Sequence, residues 1–361
     1  KYILELFYGP TFAFKDYALQ LLGNIFSYFM KNHDRKITII GATSGDTGSA
    51  AIQAFKGKDN INIFILHPHN KISEVQRRQM TTNLEENVYN IALEGNFDDC
   101  QKIVKNLFLD KEIQNKTSLT AINSINWARL MAQIVYYFWA YLQLEEETVN
   151  FIVPSGNFGN VFSAYVSRKI GLPIGKLHIA TNQNEILHQI IKTGKMEKSS
   201  VVETYSPSMD IQISSNFERQ IFESLNQNSE KVSNIMHDFE NKGYYNFDKE
   251  TLMNFQSTYN STSISNKKTL ETINLFNNKY NYLADPHTAT GLSVLEEIEP
   301  RNSYISLACA HPSKFSEAVE KATGKRPSFP KSLKNIFDKK EKMIILGKSS
   351  KEIKSLIIKN L

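Results

Sequence analysis

The sequence has 361 residues, 41% hydrophobic and 22% charged, and its 42 basic and 37 acidic side chains give a net charge of +5. These values are typical of a globular protein with one large or two medium domains, and they give little support to a nucleic-acid-binding protein. The two cysteines, Cys100 and Cys309, do not suggest a disulfide framework, so we expect a reducing compartment, the cytoplasm. The longest apolar run, 130–142, is too short to span a bilayer.

Six short apolar runs predict strands, and several of them lack polar alternation, as strands buried on both faces do. They lie at 36–41, 61–66, 88–93, 150–155, 176–181 and 303–309. Helical patterns separate them at 16–33, 47–57, 72–81, 97–110, 126–143 and 159–170. This alternation predicts an α/β fold with mostly parallel sheets. Residues 196–280 are rich in Asn, Ser, Lys and Glu and are interpreted as a mainly helical insertion.

The segment GPTFAFKD at 9–16 places Lys15 in apolar surroundings at the start of a predicted helix. Gly9 and Pro10 predict a turn that leads into this helix. The lysine has two interpretations: an ordinary exposed residue, or a desolvated amine whose pKa is lowered because burial disfavours the charged form. The second interpretation suits a lysine that forms a Schiff base.

Two glycine-rich turns each join a predicted strand to a predicted helix, GATSGDTGSAAI at 41–52 and PSGNFGN at 154–160. Hydroxyl groups and free backbone amides at a helix N-terminus form an anion site by geometry. The first turn is not a Walker loop, because no lysine follows its last glycine. Each turn alone is also consistent with an ordinary helix cap. Together with a buried lysine, they favour a small ligand that carries a phosphate and a carboxylate.

Seven segments of the chain resemble the threonine synthase family, in its microbial and fungal branch. They are ELFYGPTFAFKD, GATSGDTGSAA, NSINWARLMAQIVYYF, VPSGNFGN, SMDIQISSNFER, ADPHTATGL and AHPSKF, which occur in the family's order. The resemblance implies a fold-type II enzyme, of the tryptophan synthase β-like architecture, that binds pyridoxal 5′-phosphate between two α/β domains. The match begins inside the family's pattern, so we expect that the family's N-terminal segment is missing from this sequence.

The resemblance also implies a role for individual residues. Lys15 would form the Schiff base with the cofactor. The residues implied to hold the cofactor phosphate are Gly156, Asn157, Phe158, Gly159 and Asn160. Asp46 would lie near the cofactor's 3′ oxygen.

Two further sets are implied to bind the substrate. The residues for its carboxylate are Thr43, Ser44, Gly45 and Thr47, and those for its phosphate are Ser124, Asn126 and Arg129. The guanidinium group of Arg129 offers a planar fork that matches a phosphate. The alternative is that Arg129 is a surface residue on an amphipathic helix, with Asn123 as its N-cap.

Cys309 stands where the family commonly has a threonine that faces the pyridine nitrogen. A neutral thiol is a weak donor there and leaves the nitrogen largely unprotonated; alternatively, Cys309 is a small core residue at a strand end. His287, in DPHTATG, is interpreted as a packed or turn histidine rather than a general base. The histidines show no metal-ligand spacing, so no metal is predicted.

The predicted domains are a large cofactor-binding domain made of 1–35, 151–195 and 281–361, a smaller α/β domain at 36–150 with the carboxylate loop, and the insertion at 196–280. The implied reaction is the last step of threonine biosynthesis, from O-phospho-L-homoserine and water to L-threonine and phosphate. The alternatives are a pyridoxal-phosphate-dependent phospholyase, a serine/threonine dehydratase, or a non-catalytic scaffold. We expect a monomer or homodimer that acts on a small molecule and binds neither nucleic acid nor membrane.

Overall fold

The computed structural model of the chain describes residues 1–30, 36–299 and 302–361. Its strands are β1 (Tyr2–Glu5), β2 (Ile37–Ala42), β3 (Ile61–Pro68), β4 (Val88–Leu93), β5 (Ser118–Ala121), β6 (Val149–Pro154), β7 (Ile174–Thr181), β8 (Lys195–Glu197), β9 (Tyr244–Asn246), β10 (Tyr259–Ser263), β11 (Ser303–Ala308) and β12 (Ile344–Leu346). Its α-helices are α1 (Lys15–Met30), α2 (Asp46–Phe55), α3 (Glu74–Thr81), α4 (Phe97–Leu109), α5 (Lys111–Lys116), α6 (Trp127–Leu142), α7 (Gly159–Lys169), α8 (Ile186–Thr193), α9 (Phe217–Ser224), α10 (Ser229–Lys242), α11 (Lys249–Thr258), α12 (Asn266–Tyr280), α13 (Pro286–Glu297), α14 (Ser316–Thr323) and α15 (Ser350–Lys359).

The chain forms two compact units, each with its own parallel sheet. The first unit consists of Lys1–Phe7 and Trp127–Pro327, and the second of Tyr8–Asn126 and Ser328–Leu361. In the described part of the first unit, five parallel strands follow the order β1-β11-β6-β7-β10, and β8 and β9 form a separate antiparallel pair. The corresponding sheet of the second unit has the order β12-β4-β3-β2-β5 and is also parallel.

Each sheet has one point at which the strand order changes direction. In the first unit, β7 and β10 lie on one side of β6, and β11 lies on its other side. In the second unit, β3 and β4 lie on one side of β2, and β5 lies on its other side. The crevice outside the carboxyl ends of the strands at such a point is the usual ligand position in open α/β sheets. The loops that follow β6, β11, β2 and β5 are therefore the places where binding residues are expected.

The predicted α/β class is confirmed, and all six predicted strands are present with ends within two residues of the prediction. The predicted helix at 16–33 runs to Met30, and its last three residues lie outside the described residues. Short strands such as β1, β5 and β12 are not predicted, because three or four residues are too few to show a period.

The insertion and the domain boundaries differ from the structure in detail. Residues 196–280 include four helices, but they also supply β10, which pairs with β7 at the edge of the first sheet. The sequence of β10, YNSTS, is polar and gives no strand signal. The compact units place α1 with the second sheet, because α1 packs on α2, and they place α6 with the first sheet.

None of the described helices combines the length and apolar character that crossing a bilayer requires.

A close contact between α1 and α2 gives a stability prediction. A Cβ added to Gly23 would lie 2.5 Å from the carbonyl oxygen of Ala54, which belongs to the backbone of α2 and cannot move alone. We expect the clash in Gly23→Ala to lower the free energy of unfolding by about 1–3 kcal/mol, even though alanine stabilises a helix by about 1 kcal/mol relative to glycine. Urea denaturation measures this change. Gly347→Ala is the control, because its Cβ would meet no atom within 4 Å; equal stabilities of the two variants would contradict the contact.

The buried His67 gives a second prediction. It lies on β3, is 1% exposed, and burial lowers its pKa to about 4. As the pH falls below about 6.5, the His67 side chain of the unfolded chain binds a proton that the folded chain does not bind. The stability that comes from burying neutral His67 is therefore complete above pH 6.5 and is lost progressively between pH 6.5 and 4. We expect the free energy of unfolding to fall by about 1 kcal/mol per pH unit in this window because of His67.

Urea denaturation at several pH values between 7 and 4.5 tests the His67 prediction. The non-titrating variant His67→Gln should show a shallower pH dependence than the unmodified chain. The exposed His237→Gln is the matched control. If the free energy of unfolding depends on pH equally in both variants, His67 does not contribute to that dependence.

Candidate active site

Lys15 begins α1 and is held in a largely buried position. Its Nζ lies 3.7 Å from Oδ2 of Asp46, and its side chain is 12% exposed. The same Nζ lies 5.8 Å from the centre of the Phe14 ring. The interpretation of Lys15 as an ordinary exposed lysine is therefore wrong.

The turn before Lys15 is fixed by the neighbouring Asp16. This fully buried carboxylate accepts hydrogen bonds from the Thr11 amide at 2.9 Å and the Thr11 hydroxyl at 2.6 Å. A Cβ on Gly9 would lie 2.4 Å from Asp16, so the turn requires glycine at that position. Gln79 also donates to the Thr11 carbonyl at 3.0 Å. These contacts set the direction in which Lys15 leaves the turn.

The loop between β2 and α2 forms a tight helix start. The Thr43 hydroxyl accepts from the amides of Gly45 and Gly48 at 3.0 and 2.8 Å. Gly45 has a φ of 130°, and a Cβ there would lie 2.5 Å from the Gln76 side chain. Ser44 and Thr47 are half-buried beside the first turn of α2, whose amides have no acceptor in a preceding turn. This end of α2 is suited to a carboxylate.

Gln76 is a site residue that the sequence reasoning missed. Its Nε2 donates to Oδ1 of Asp46 at 2.9 Å, and the other oxygen of Asp46 faces Lys15. Gln76 therefore fixes the orientation of the carboxylate that pairs with the lysine. No sequence signal marks it, because it lies on α3, 30 residues beyond Asp46.

Ser124 and Asn126 follow β5, the strand beside β2. Parallel strands end at the same edge of a sheet, so these residues lie on the same edge as the loop at 43–47. Asn126 donates its amide to the Asn123 carbonyl at 3.4 Å, which makes 123–126 a turn. Since α6 begins at Trp127, Asn123 is not its N-cap. The boundary between the units falls between Asn126 and Trp127, so Arg129 belongs to the first unit.

The loop between β6 and α7 carries the predicted residues 156–160. The Ser155 hydroxyl accepts from the Phe158 amide at 3.1 Å. Phe158 has a φ of 62°, and its ring is fully buried against Phe217 and Tyr259, with ring centres 5.1 and 5.5 Å away. Gly159 begins α7, and the first amides of a helix have no acceptor in a preceding turn.

Asn160 presents an unused donor next to this loop. Its Oδ1 accepts from the hydroxyls of Tyr136 and Tyr137, and its carbonyl accepts from Tyr137 at 2.9 Å. Its Nδ2 is buried and has no hydrogen-bond partner. Burial and, to a smaller extent, Cys309 raise the pKa of Tyr137 well above its usual value, so Tyr137 acts as a donor at neutral pH. The two tyrosines thus orient Asn160 and leave its NH₂ group for a ligand.

Arg129 is a buried cation, and its interpretation as a surface residue is wrong. The residue is 3% exposed, and its Nε and Nη1 have no hydrogen-bond partner. Burial lowers its pKa to about 10, so the guanidinium stays charged at neutral pH. Leaving such donors unsatisfied is costly, and an anionic ligand would supply the missing partner.

Cys309 lies immediately after β11, the neighbour of β6, and is 6% exposed. Its amide donates to the Thr288 hydroxyl at 2.9 Å, and its Sγ lies 3.9 Å from the Leu307 carbonyl. Cys309 and the loop at 155–160 therefore occupy the same edge of the first sheet, at its switch point. This position fits both the ligand-facing and the core interpretation of the thiol.

The chemistry of these residues fits a phosphorylated aldehyde cofactor. The amides at the start of α7, the free Nδ2 of Asn160 and the unpartnered nitrogens of Arg129 are donors suited to phosphate groups. Lys15 supplies a largely buried amine. Together with the parallel α/β fold, they define a pyridoxal-phosphate-dependent enzyme, and residues 2–236 match the family model described as "Pyridoxal-phosphate dependent enzyme".

A second family model, "Threonine synthase, C-terminal", matches residues 288–357. The chain is 45% identical over 362 residues to a threonine synthase of Pseudomonas aeruginosa, covering 99% of this chain and 77% of the relative. It is 41% identical over 390 residues to the threonine synthase of Saccharomyces cerevisiae, covering 98% of this chain and 76% of the relative. The chain belongs to the threonine synthase family.

Solved structures agree with this assignment. The crystal structure of threonine synthase from Brucella melitensis, which has pyridoxal phosphate bound, matches with a TM-score of 0.95 and 44% identity over 99% of this chain and 78% of that one. The yeast threonine synthase structure matches with a TM-score of 0.92 and 40% identity, with the same coverage.

The buried Arg129 gives a third prediction. We expect Arg129→Met to leave the free energy of unfolding unchanged or to raise it by about 1–3 kcal/mol, because it removes a desolvated cation that lacks full pairing. The same variant should lose the stabilisation that inorganic phosphate gives to the unmodified chain. Urea denaturation with and without phosphate measures both effects. The exposed Arg168→Met, on α7, is the control; a large loss of stability with phosphate stabilisation retained would contradict a ligand-binding role.

Proposed function

We infer that the chain catalyses the pyridoxal-phosphate-dependent conversion of O-phospho-L-homoserine and water to L-threonine and phosphate. Phosphate leaves from Cγ of the substrate, and water adds at Cβ. The structural observation that carries this inference is the largely buried amine of Lys15, which lies next to Asp46 at the start of α2. When bound, the cofactor supplies an electron sink for the charge that develops at Cα.

We propose that Lys15 attaches the cofactor and, once released from it, removes and returns the Cα proton at its Nζ. A lysine amine is a nucleophile and a base once it has given up its proton, and the largely buried position of Lys15 keeps bulk water away from it. Asp46 is held by Gln76 at 2.9 Å and keeps the amine oriented through the 3.7 Å ion pair. Asp46 would also approach the 3′ oxygen of the cofactor.

Two anion sites would hold the substrate at its two ends. The start of α2, with Thr43, Ser44, Gly45 and Thr47, would bind its carboxylate. Ser124, Asn126 and Arg129 would bind its phosphate, with Arg129 as the charged donor. Fixing both ends restricts Cα and Cγ to one geometry relative to the lysine, which contributes to the rate through orientation.

The loop at 156–160 would hold the cofactor phosphate with the amides at the start of α7 and the Nδ2 of Asn160. We propose that Cys309 would lie next to the pyridine nitrogen of the bound cofactor. A thiol is a weak donor, so it would limit how far charge spreads into the ring, in contrast to a carboxylate. We further propose that the protein acts in the cytoplasm, as a monomer or homodimer.

A variant of Lys15 tests the function. We expect the purified chain with pyridoxal phosphate to show the visible absorbance of a cofactor bound to an amine, and to release threonine and inorganic phosphate in equal amounts from O-phospho-L-homoserine. Lys15→Ala should lose the band and lower turnover by at least about a thousandfold, because the attachment point and base are both removed. The exposed Lys102→Ala, on α4, is the control.

The products separate the alternative functions. Phosphate released together with 2-oxobutyrate in place of threonine would indicate a phospholyase or dehydratase. An absorbance band without any turnover would indicate a non-catalytic scaffold. Full turnover by Lys15→Ala would contradict the role of this lysine.

A further inference from the structure

We propose that His287 is a positioning residue for the cofactor-phosphate loop, and that it acts through residues 204–216, the backing segment. This inference rests on the proposed function, because it assumes that the loop at 156–160 binds a phosphate. The sequence pattern gave the histidine no role beyond packing or a turn. All the residues involved lie in the first unit.

The backing segment touches the loop directly at two residues. The backbone of Met209 lies so close to Gly156 that a Cβ on the glycine would be 2.9 Å from Cα of Met209. Asn157 is held by hydrogen bonds: its Oδ1 accepts from the Ser215 amide at 2.8 Å, and its carbonyl accepts from Nδ2 of Asn216 at 3.1 Å. The loop therefore depends on this segment for its shape, since its own residues form no helix or strand before Gly159.

The imidazole of His287 holds the middle of the backing segment. Its Nδ1 lies 2.8 Å from Oδ1 of Asp285, and its Nε2 lies 3.2 Å from the Ser208 amide nitrogen. A carboxylate accepts and an amide donates, so Nδ1 carries the proton and Nε2 is the acceptor. The imidazole is 4% exposed, and its ring centre lies 4.6 Å from that of Phe315. The histidine thus has one fixed tautomer and one fixed orientation.

Asp210 holds the same segment from the other side. Its Oδ1 accepts from Nδ2 of Asn182 at 2.8 Å and from Nδ2 of Asn184 at 2.9 Å, just beyond the end of β7. Its two oxygens also accept from the hydroxyl and amide of Thr204 at 2.6 and 3.0 Å. Met209, the residue that contacts Gly156, therefore lies between two fixed points, Ser208 at His287 and Asp210 at β7. Removal of either contact, the one between Ser208 and His287 or the one between Asp210 and the residues after β7, should let the backing segment move away from the loop.

The test compares two cofactor forms that differ only in the phosphate. The cofactor-free chain is titrated with pyridoxal phosphate and, separately, with pyridoxal, and the visible absorbance reports binding. The dissociation constant for pyridoxal divided by that for pyridoxal phosphate measures how much the phosphate contributes to the affinity. We expect His287→Leu to reduce this ratio by about tenfold or more, which corresponds to the loss of about one hydrogen bond between the loop and the charged phosphate. The variant should bind pyridoxal phosphate more weakly and pyridoxal as tightly as before.

Two further variants show whether the effect belongs to the Nε2 acceptor. His287→Gln, whose side-chain oxygen can accept from the Ser208 amide, should restore most of the ratio. His178→Leu is the matched control, since it also removes a histidine whose Nε2 makes a hydrogen bond in this unit, at 2.8 Å from the Thr262 hydroxyl. We expect the control to keep the ratio. A His287→Leu variant that weakens both ligands equally would show a merely structural role and overturn the proposal.

The unmodified chain provides an independent measurement if His287→Leu does not fold. Saturating pyridoxal phosphate should slow hydrogen exchange at the amides of Ser208, Ser215 and Asn216, which hold or contact the loop. Unchanged exchange at these amides on binding would overturn the proposal. A chain that binds pyridoxal phosphate no more tightly than pyridoxal would instead contradict the proposed phosphate loop, which is a different failure.

Discussion

One ion pair, between Lys15 and Asp46, ties together the features on which the second unit's site depends. Burying an ammonium group is costly unless a charge of opposite sign lies close and is itself fixed. Each partner begins a helix, and the two helices pack closely at Gly23 and Ala54. Gln76 satisfies the second oxygen of Asp46. The chemistry of the amine therefore depends on the packing of two helices as much as on its immediate neighbours.

The first unit uses the opposite arrangement, in which charge and donors are buried without full compensation. The Nε and Nη1 of Arg129 and the Nδ2 of Asn160 lack partners, and each lies at the start of a helix. Unsatisfied donors of this kind lower the stability of the ligand-free chain and are commonly found where a ligand completes the site. The first unit therefore gives up stability at the place where we propose that anions bind.

The sequence predicted those parts of the molecule that have a local signal. Strands such as β2 and β6 were recognised from their apolar residues, and the glycines of the two strand-to-helix turns marked both proposed anion sites. Strand β10 has a polar sequence and became visible only through its pairing with β7. Gln76 and the backing segment were missed for a different reason. Their roles come from contacts between residues 30 to 79 positions apart, which no local pattern encodes.

The left-handed backbone of Phe158 has a consequence for how the protein responds to heat. A residue other than glycine in this conformation costs about 1 kcal/mol or more, and surrounding packing must hold it there. Here the holding contacts are the rings of Phe217 and Tyr259, which come from other parts of the chain. Warming that loosens this aromatic cluster would let Phe158 relax to an ordinary conformation. The proposed anion site would then lose affinity at a temperature at which the sheet beneath it is still folded.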